Sequence, residues 1–280
     1  MAVLVTGARG NIGSRVVTRL HAAGCRVRAS AREVGTLRVP DGVETAELDI
    51  SAPDGFDRAL QDVDAVFRYA TRGDTAPFLA AARAAGVRYV VLLSSPASYE
   101  AAEYRGPIGR IHRANEERLA ESGLPHTVLY PSWLATNVRR DWGAAIRAGR
   151  PIELAYPASQ ISPIHPDDVA AVAVELLLHE THRSRMQVLS GPASMRLDEA
   201  VAEVAAALGR AIEVREIGRE EALARREAWP AEEILATLLD AAAAGVGHPA
   251  QLTNSVARIT GHKARELRDW VTQQRADFEA

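Results

Sequence analysis

The chain has 280 residues, 33 basic and 36 acidic side chains for a formal charge of −3, and 47 % hydrophobic residues. That length buries a full core, no apolar run approaches the roughly 20 residues that cross a bilayer, and Met1 to Thr6 reads as a strand with no basic region before it, unlike a secretion signal. A near-neutral charge without a clustered basic face argues against a nucleic-acid partner. The one cysteine, Cys25, excludes an internal disulfide and argues against a cysteine-built metal site, so no metal is expected and a reducing cytoplasm fits.

The first predicted element is a strand over Ala2 to Thr6 that runs straight into Gly7, Gly10 and Gly13. Gly7 permits a tight turn, Gly10 lets backbone approach a pyrophosphate, and Gly13 lets the next helix pack against the strand. Asn11 and Ile12 open that helix, which extends to Ala23 and aims its N-terminal N–H groups and dipole at an anion. A second strand, Cys25 to Ala31, completes a βαβ spacing and ends in Ser30-Ala31-Arg32-Glu33. Arg32, with Arg9 from the glycine turn, offers two guanidiniums to a 2′-phosphate, so NADPH is expected over NADH. A slip of one or two residues would instead hand Glu33 to the ribose of NAD.

A third strand, Val43 to Asp49, places Asp49 and Ile50 at the adenine edge, or else Asp49 is an acid that ends the strand in a turn. A fourth, Asp64 to Ala70, puts Ala70, Thr71 and Arg72 in a cleft near the pyrophosphate or the nicotinamide ribose, since ligands sit at the carboxyl ends of strands. The fifth and sixth strands are Arg88 to Ser94 and His126 to Tyr130. Unbroken apolar runs such as Tyr89 to Leu93 suit strands buried on both faces. The predicted fold is α/β, a doubly wound parallel Rossmann sheet.

A helix near Val138 to Ala148, a strand over Ile152 to Ala155 and a helix opening at Pro166 follow. Asp167 and Asp168 in its first turn, with His179, His182 and Arg183 at its end, complement the dipole, which makes those histidines structural. Then come a strand at Met186 to Leu189, a helix at Leu197 to Leu208 and a strand-like Ile212 to Ile217. A tail covers Arg219 to Ala244, and a last helix runs around Arg265 to Phe278. The expected organisation is a dinucleotide-binding core over 1–155, a helix and strand completing it over 156–195, and a small, mainly helical substrate-binding cap over 196–280. In the tail Leu223, Trp229, Ile234, Leu235 and Leu238 share an apolar face, which either packs on the core or walls a substrate pocket.

The strings Thr-Gly-Ala-Arg-Gly-Asn-Ile-Gly, Val-Val-Leu-Leu-Ser-Ser at 90–95, His112-Arg-Ala-Asn-Glu-Glu, Ser-Gly-Leu-Pro-His-Thr-Val-Leu-Tyr-Pro at 122–131 and Ile-Ser-Pro-Ile-His-Pro-Asp-Asp-Val-Ala at 161–170 carry a resemblance. Over almost its whole length the chain resembles the atypical short-chain dehydrogenases of the NmrA-like group. That resemblance implies NAD(P)(H) binding, in a group that holds quinone and ketone reductases beside redox sensors without known turnover. Similarity to polyketide ketoreductases of antibiotic pathways implies a small-molecule carbonyl substrate of aromatic character. The sequence does not set the oligomeric state.

The chain departs from mainstream members of that family, whose Tyr-x-x-x-Lys dyad needs a lysine one helical turn after a tyrosine. Its single lysine is Lys263, and in the family register Ile108 and His112 take the dyad positions. Ser95, at the end of the fifth strand, occupies the place of the carbonyl-orienting serine, or is a turn serine. Tyr104 is the replacement phenol, with Tyr99 competing. His112 either holds the ribose and relays a proton or is an ordinary histidine of an amphipathic helix. Pro131 is expected beside the nicotinamide, Ser132 and Trp133 beside the substrate, with Asn137 closing the loop and Trp229 on the opposite wall.

Overall fold

Continuous apolar runs that can leave neither face in water, Ala2–Val5 and Tyr89–Leu93, become inner strands of one sheet. The computed structural model describes residues 1–99, 106–225 and 231–279. Chain order begins β1 (Ala2–Val5), α1 (Gly13–Ala22), β2 (Arg26–Ala31), β3 (Glu44–Glu47), α2 (Phe56–Leu60), β4 (Ala65–Tyr69), α3 (Ala76–Ala84), β5 (Tyr89–Leu93), a 3-10 turn (Pro96–Tyr99), α4 (Pro107–Glu121) and β6 (His126–Pro131). It continues with α5 (Asn137–Asp141), α6 (Gly143–Arg147), β7 (Ile152–Leu154), β8 (Gln160–Ile161), α7 (Pro166–Leu178), β9 (Met186–Leu189), β10 (Met195–Arg196) and α8 (Leu197–Leu208). The last elements are β11 (Val214–Glu216), α9 (Arg219–Ala224), α10 (Glu232–Ala244), α11 (Ser255–Thr260) and α12 (Leu267–Gln273).

The central sheet has the order β3-β2-β1-β4-β5-β6-β9, and its paired strands from β3 to β6 run parallel. This is the doubly wound arrangement, with the strand order reversing between β1 and β4. Register aligns the strand ends: Val5 lies opposite Ala29 and Phe67, Tyr69 opposite Leu93, and Leu93 opposite Leu129. The segments that follow β1, β2, β4, β5 and β6 therefore leave the sheet along one edge. On one face Leu4, Val66, Val90 and Val128 pack against Phe56, Phe78, Leu79 and Leu119, with the Phe56 and Phe78 rings edge to face at 5.4 Å. Arg183 closes α7 by donating from Nε and Nη2 to the Leu176 and Leu177 carbonyls at 3.1 and 3.2 Å, a capping role consistent with its expected place at the helix end.

Contacts divide the chain into two interleaved units: 1–131 with 166–188 and 258–261, and 132–165 with 189–257 and 262–280. The division at 155 and 195 expected from sequence differs from this, because α7 and most of β9 complete the sheet unit while 132–165 builds the other. In the second unit β11 pairs with β7, Val214 opposite Ile152, and β10 pairs with β8. The helix expected over Val138 to Ala148 is two short helices. They meet at Trp142 (φ −119°), whose buried indole lies 5.7 Å from Trp133. The tail over 219–244 holds α9 and α10. Leu223, Ile234, Leu235 and Leu238 are half-buried there. Among the described residues no helix is long and apolar enough to cross a membrane.

Candidate functional site: a dinucleotide cradle and a buried polar chain

After β1 the backbone turns at Gly7, whose φ of +63° is left-handed and where a Cβ would stand 2.5 Å from the Tyr69 ring. Gly10 N–H donates to Gly7 O at 2.9 Å, and Ala8 N–H donates to Ser30 O at 3.1 Å, tying the turn to β2. A Cβ on Gly13 would lie 2.3 Å from Gly7 O, so α1 reaches the turn only because this residue has none. A Cβ on Gly10 behaves differently: beyond its chain neighbours it would meet only Gly7 O, at 3.2 Å. The first turn of α1 holds no acid and receives no side-chain cap. Apart from that one carbonyl nothing else stands within 4 Å of the point, and the helix N-terminus beside it fits an anion such as a pyrophosphate. Thr6 Oγ1, at the end of β1, is buried with no hydrogen-bond partner among the described residues. These observations fit a dinucleotide, held by Gly7, Gly10 and the backbone of Asn11 and Ile12. Ile12 itself buries its side chain.

Arg9 and Arg32 are both exposed. Arg9 Nη1 donates to Thr36 Oγ1 at 2.9 Å, in the segment after β2. Asp49 accepts from Ser51 Oγ at 2.6 Å and Ser51 N–H at 2.9 Å. Those bonds, with the Arg32 charge, hold its carboxyl below the usual range. These are the bonds of an acid that ends a strand in a turn, and the Ile50 side chain is buried in the core.

Next to the cradle, Ala70 N–H donates to Leu93 O at 3.2 Å. Asn115 on α4 grips Thr71: its Nδ2 donates to Thr71 O at 2.7 Å, and its Oδ1 accepts Thr71 N–H at 3.4 Å. The same Oδ1 accepts from Arg68 Nη2, which also donates to Thr75 Oγ1 at 2.7 Å. Arg68 is wholly buried, and its Nε and Nη1 have no partner among the described residues. Burial pulls its pKa down to about 10. Neither Tyr69 nor the Arg68–Asn115 pair was foreseen, because a basic residue in an apolar strand carries no periodic signal.

Ser95 Oγ accepts the Ala97 N–H at 3.3 Å, and its carbonyl accepts Ser98 Oγ–H at 2.9 Å. That is turn-serine geometry. Its neighbour Ser94 is the serine that reaches His112, with Ser94 Oγ 3.2 Å from His112 Nδ1, and it donates to Glu116 Oε1. Glu116, buried on α4, also takes a hydrogen bond from the Tyr130 hydroxyl, which bonds Tyr99 in turn. The Tyr99 and Tyr130 rings stack at 4.4 Å. Arg113 Nη1 lies 3.9 Å from Glu116 Oε2. Burial lowers the His112 pKa, the Glu116 charge opposing it, while desolvation pushes Tyr99 up to about 12 and Tyr130 upward as well. The i, i+4 spacing of His112 and Glu116 was the available signal for this chain of groups.

In the second unit Ser132 Oγ donates to Ser162 O at 2.5 Å, and Trp133 packs on the cluster around Trp142. Pro131, closing β6, is buried. Tyr104 and Trp229 lie outside the described residues.

A family model described as NAD(P)H-binding matches residues 7–180. The chain is 35% identical, over 99% of both sequences, to a (4-alkanoyl-5-oxo-2,5-dihydrofuran-3-yl)methyl phosphate reductase from Streptomyces griseus. It is 30% identical to a nitrogen metabolite regulation-like protein from Gibberella fujikuroi, over 63% of this chain and 61% of that one. The fold matches that of an NADPH-dependent quinone oxidoreductase from Escherichia coli complexed with NADPH, with a TM-score of 0.80 at 21% identity, covering 98% of this chain and 99% of the other. With its glycine cradle, the chain belongs to the NAD(P)H-binding, NmrA-like family of NAD(P)H-dependent reductases.

Proposed function

We propose that the protein is an NADPH-dependent reductase that delivers hydride to a ketone or quinone carbonyl of an apolar aromatic small molecule, as a polyketide ketoreductase of antibiotic biosynthesis does. The observation that carries this reading is the cradle: a left-handed Gly7, a Gly10 crowded only by the Gly7 carbonyl and a helix start free of acid. When bound, the reduced nicotinamide supplies the hydride. The chain's own residues hold and orient. Arg32 and Arg9 take the 2′-phosphate, the glycine turn takes the pyrophosphate, and Asn115 fixes Thr71 at the neighbouring strand end. Substrate contacts are assigned to Ser132, Trp133 and Trp229, whose aromatic and polar character suits a flat carbonyl compound.

A second reading, an NADP(H)-binding redox sensor, has specific support in the sequence, whose only lysine is Lys263, so that no Tyr-x-x-x-Lys dyad exists. Titration of NADPH and NADH into wild type and Arg32→Ala, followed by turnover with a naphthoquinone and a polycyclic aromatic ketone, separates the possibilities. One charge-assisted contact contributes about 1.5–3 kcal/mol, or roughly ten- to a hundredfold in affinity for NADPH. Equal wild-type affinity for both nucleotides refutes the 2′-phosphate assignment, and tight NADPH binding without turnover on either carbonyl favours the sensor.

A further inference from the structure

The buried groups around His112 form a chain with a direction. A carboxylate only accepts hydrogen bonds, so with Glu116 ionised the Ser94 hydroxyl donates to it. Ser94 Oγ then faces His112 Nδ1 as an acceptor, at 3.2 Å, and Nδ1 carries the proton. The tautomer of an imidazole is set by the bond its other nitrogen makes. Neutral His112 therefore presents Nε2 as a lone pair, and only the imidazolium presents Nε2–H. On the far side of Glu116 the Tyr130 phenol donates to the carboxylate and bonds Tyr99, while Arg113 stands 3.9 Å off. Glu116 on α4, Tyr130 on β6, Tyr99 on the 3-10 turn and Arg113 are the titratable and charged groups of the described residues that face this chain. Glu116 is the one whose charge acts on His112.

We propose that Ser94 and Glu116 are positioning residues that lock His112 with its Nδ1–H on Ser94, so that the His112 imidazolium is the proton donor to the substrate oxygen. This rests on the reductase reading above. As the carbonyl carbon gains hydride, the C=O π pair moves onto oxygen, and that oxygen takes the Nε2 proton. Carbonyl becomes alcohol, the nicotinamide is oxidised, and His112 is left neutral with Nδ1–H still on Ser94, to be reprotonated from water. The arrangement does without the missing tyrosine and lysine, and it makes the reaction faster on the acid side of the histidine titration.

The test follows the His112 Cε1–H signal by NMR through a pH titration of the apo protein, the signal being assigned by its loss in His112→Gln. Glu116→Gln and Ser94→Ala both move the midpoint to lower pH, Glu116→Gln by about one pH unit, and Glu116→Asp restores it in part. In wild type kcat/KM with a quinone falls as pH rises through the same midpoint, and that limb shifts with it in each variant. His112→Gln loses roughly 100-fold or more in kcat and keeps its NADPH affinity within a few-fold. A midpoint unmoved by Ser94→Ala and Glu116→Gln overturns the lock, as does a uniform loss of rate with no shift of the limb. Should wild type bind NADPH and reduce neither carbonyl, the reductase reading fails by itself, while the apo titration still decides the coupling of His112 to Glu116.

Discussion

Replacing Gly10 by alanine should separate cofactor binding from folding. The added Cβ meets only Gly7 O, at 3.2 Å, so the turn yields by a few tenths of an ångström. Gly10 does not have the positive φ seen at Gly7, and alanine recovers about 0.4–1 kcal/mol by restricting the unfolded chain where its backbone is compatible. The two terms nearly cancel, and the melting temperature of the apo protein should move by no more than about 2–4 °C. The methyl group, however, occupies the space assigned to the pyrophosphate. Losing even one backbone N–H bond to a charged oxygen costs about 1.5–3 kcal/mol, which raises the Kd for NADPH roughly ten- to a hundredfold. Gly13→Ala is the contrast. Its Cβ would sit 2.3 Å from Gly7 O, which forces the helix off the turn, so stability and affinity fall together, by about 1–3 kcal/mol for the overpacking alone. Thermal melts and fluorescence titration of both variants decide the matter. An NADPH Kd for Gly10→Ala within threefold of wild type would falsify the placement of the pyrophosphate.

Other expectations are as specific. Arg68→Met removes a buried cation two of whose nitrogens have no partner among the described residues and should leave the melting temperature unchanged or higher. Asn115→Ala, which takes away an acceptor of Arg68 and both bonds to Thr71, should cost about 1–3 kcal/mol, and less in the Arg68→Met background. Additive losses would show that the two residues do not act together. Asp64 accepts Ala2 N–H and Arg88, each at 2.7 Å, and these bonds hold its carboxyl below 3.8. A depressed folded-state pKa stabilises above the unfolded value and is lost as pH falls through the folded one. Asp64→Asn should therefore destabilise at pH 7, with the difference from wild type closing below about pH 4. A gap that stays constant as pH falls from 7 into the acid range would contradict that linkage. Hydrogen exchange should show the half-buried apolar face of α10 gaining protection when NADPH and an aromatic ketone are both present. Equal protection in all states argues against a substrate-facing role for that helix.

Much of the sheet was legible because its strands obey a simple constraint. Segments such as Tyr89–Leu93 are buried on both faces, so they read as unbroken apolar runs. Met186–Leu189 and Leu197–Leu208 were bounded to the residue. The glycine turn was legible for a steric reason, since Gly7 and Gly13 each sit where a Cβ would collide with the Tyr69 ring or the Gly7 carbonyl. The two-residue strands β8 and β10 and the six-residue α11 were not, because fewer than two periods give no periodicity to detect. Among site residues, Ser95 was singled out by its place at the strand end, whereas the serine that meets His112 is its neighbour Ser94; both lie just past β5, where no periodicity distinguishes them. Asp49 and Ile50 were placed by their position at a strand end, and the bonds of Asp49 to Ser51, two residues on, and the burial of Ile50 are features that position alone does not reveal.

The chain passes between its two units five times, at 131/132, 165/166, 188/189, 257/258 and 261/262. Neither unit is a contiguous cassette, so recombination at a single junction cannot exchange one while preserving the other. A fragment ending at 155 would carry six of the seven sheet strands and leave β6 as a bare, apolar edge, with α7 gone from the sheet as well. Such an edge pairs with other chains. New specificities in this lineage must then arise by substitution and loop change within an intact chain, and libraries built by swapping halves should yield aggregates where point-mutation libraries yield folded protein.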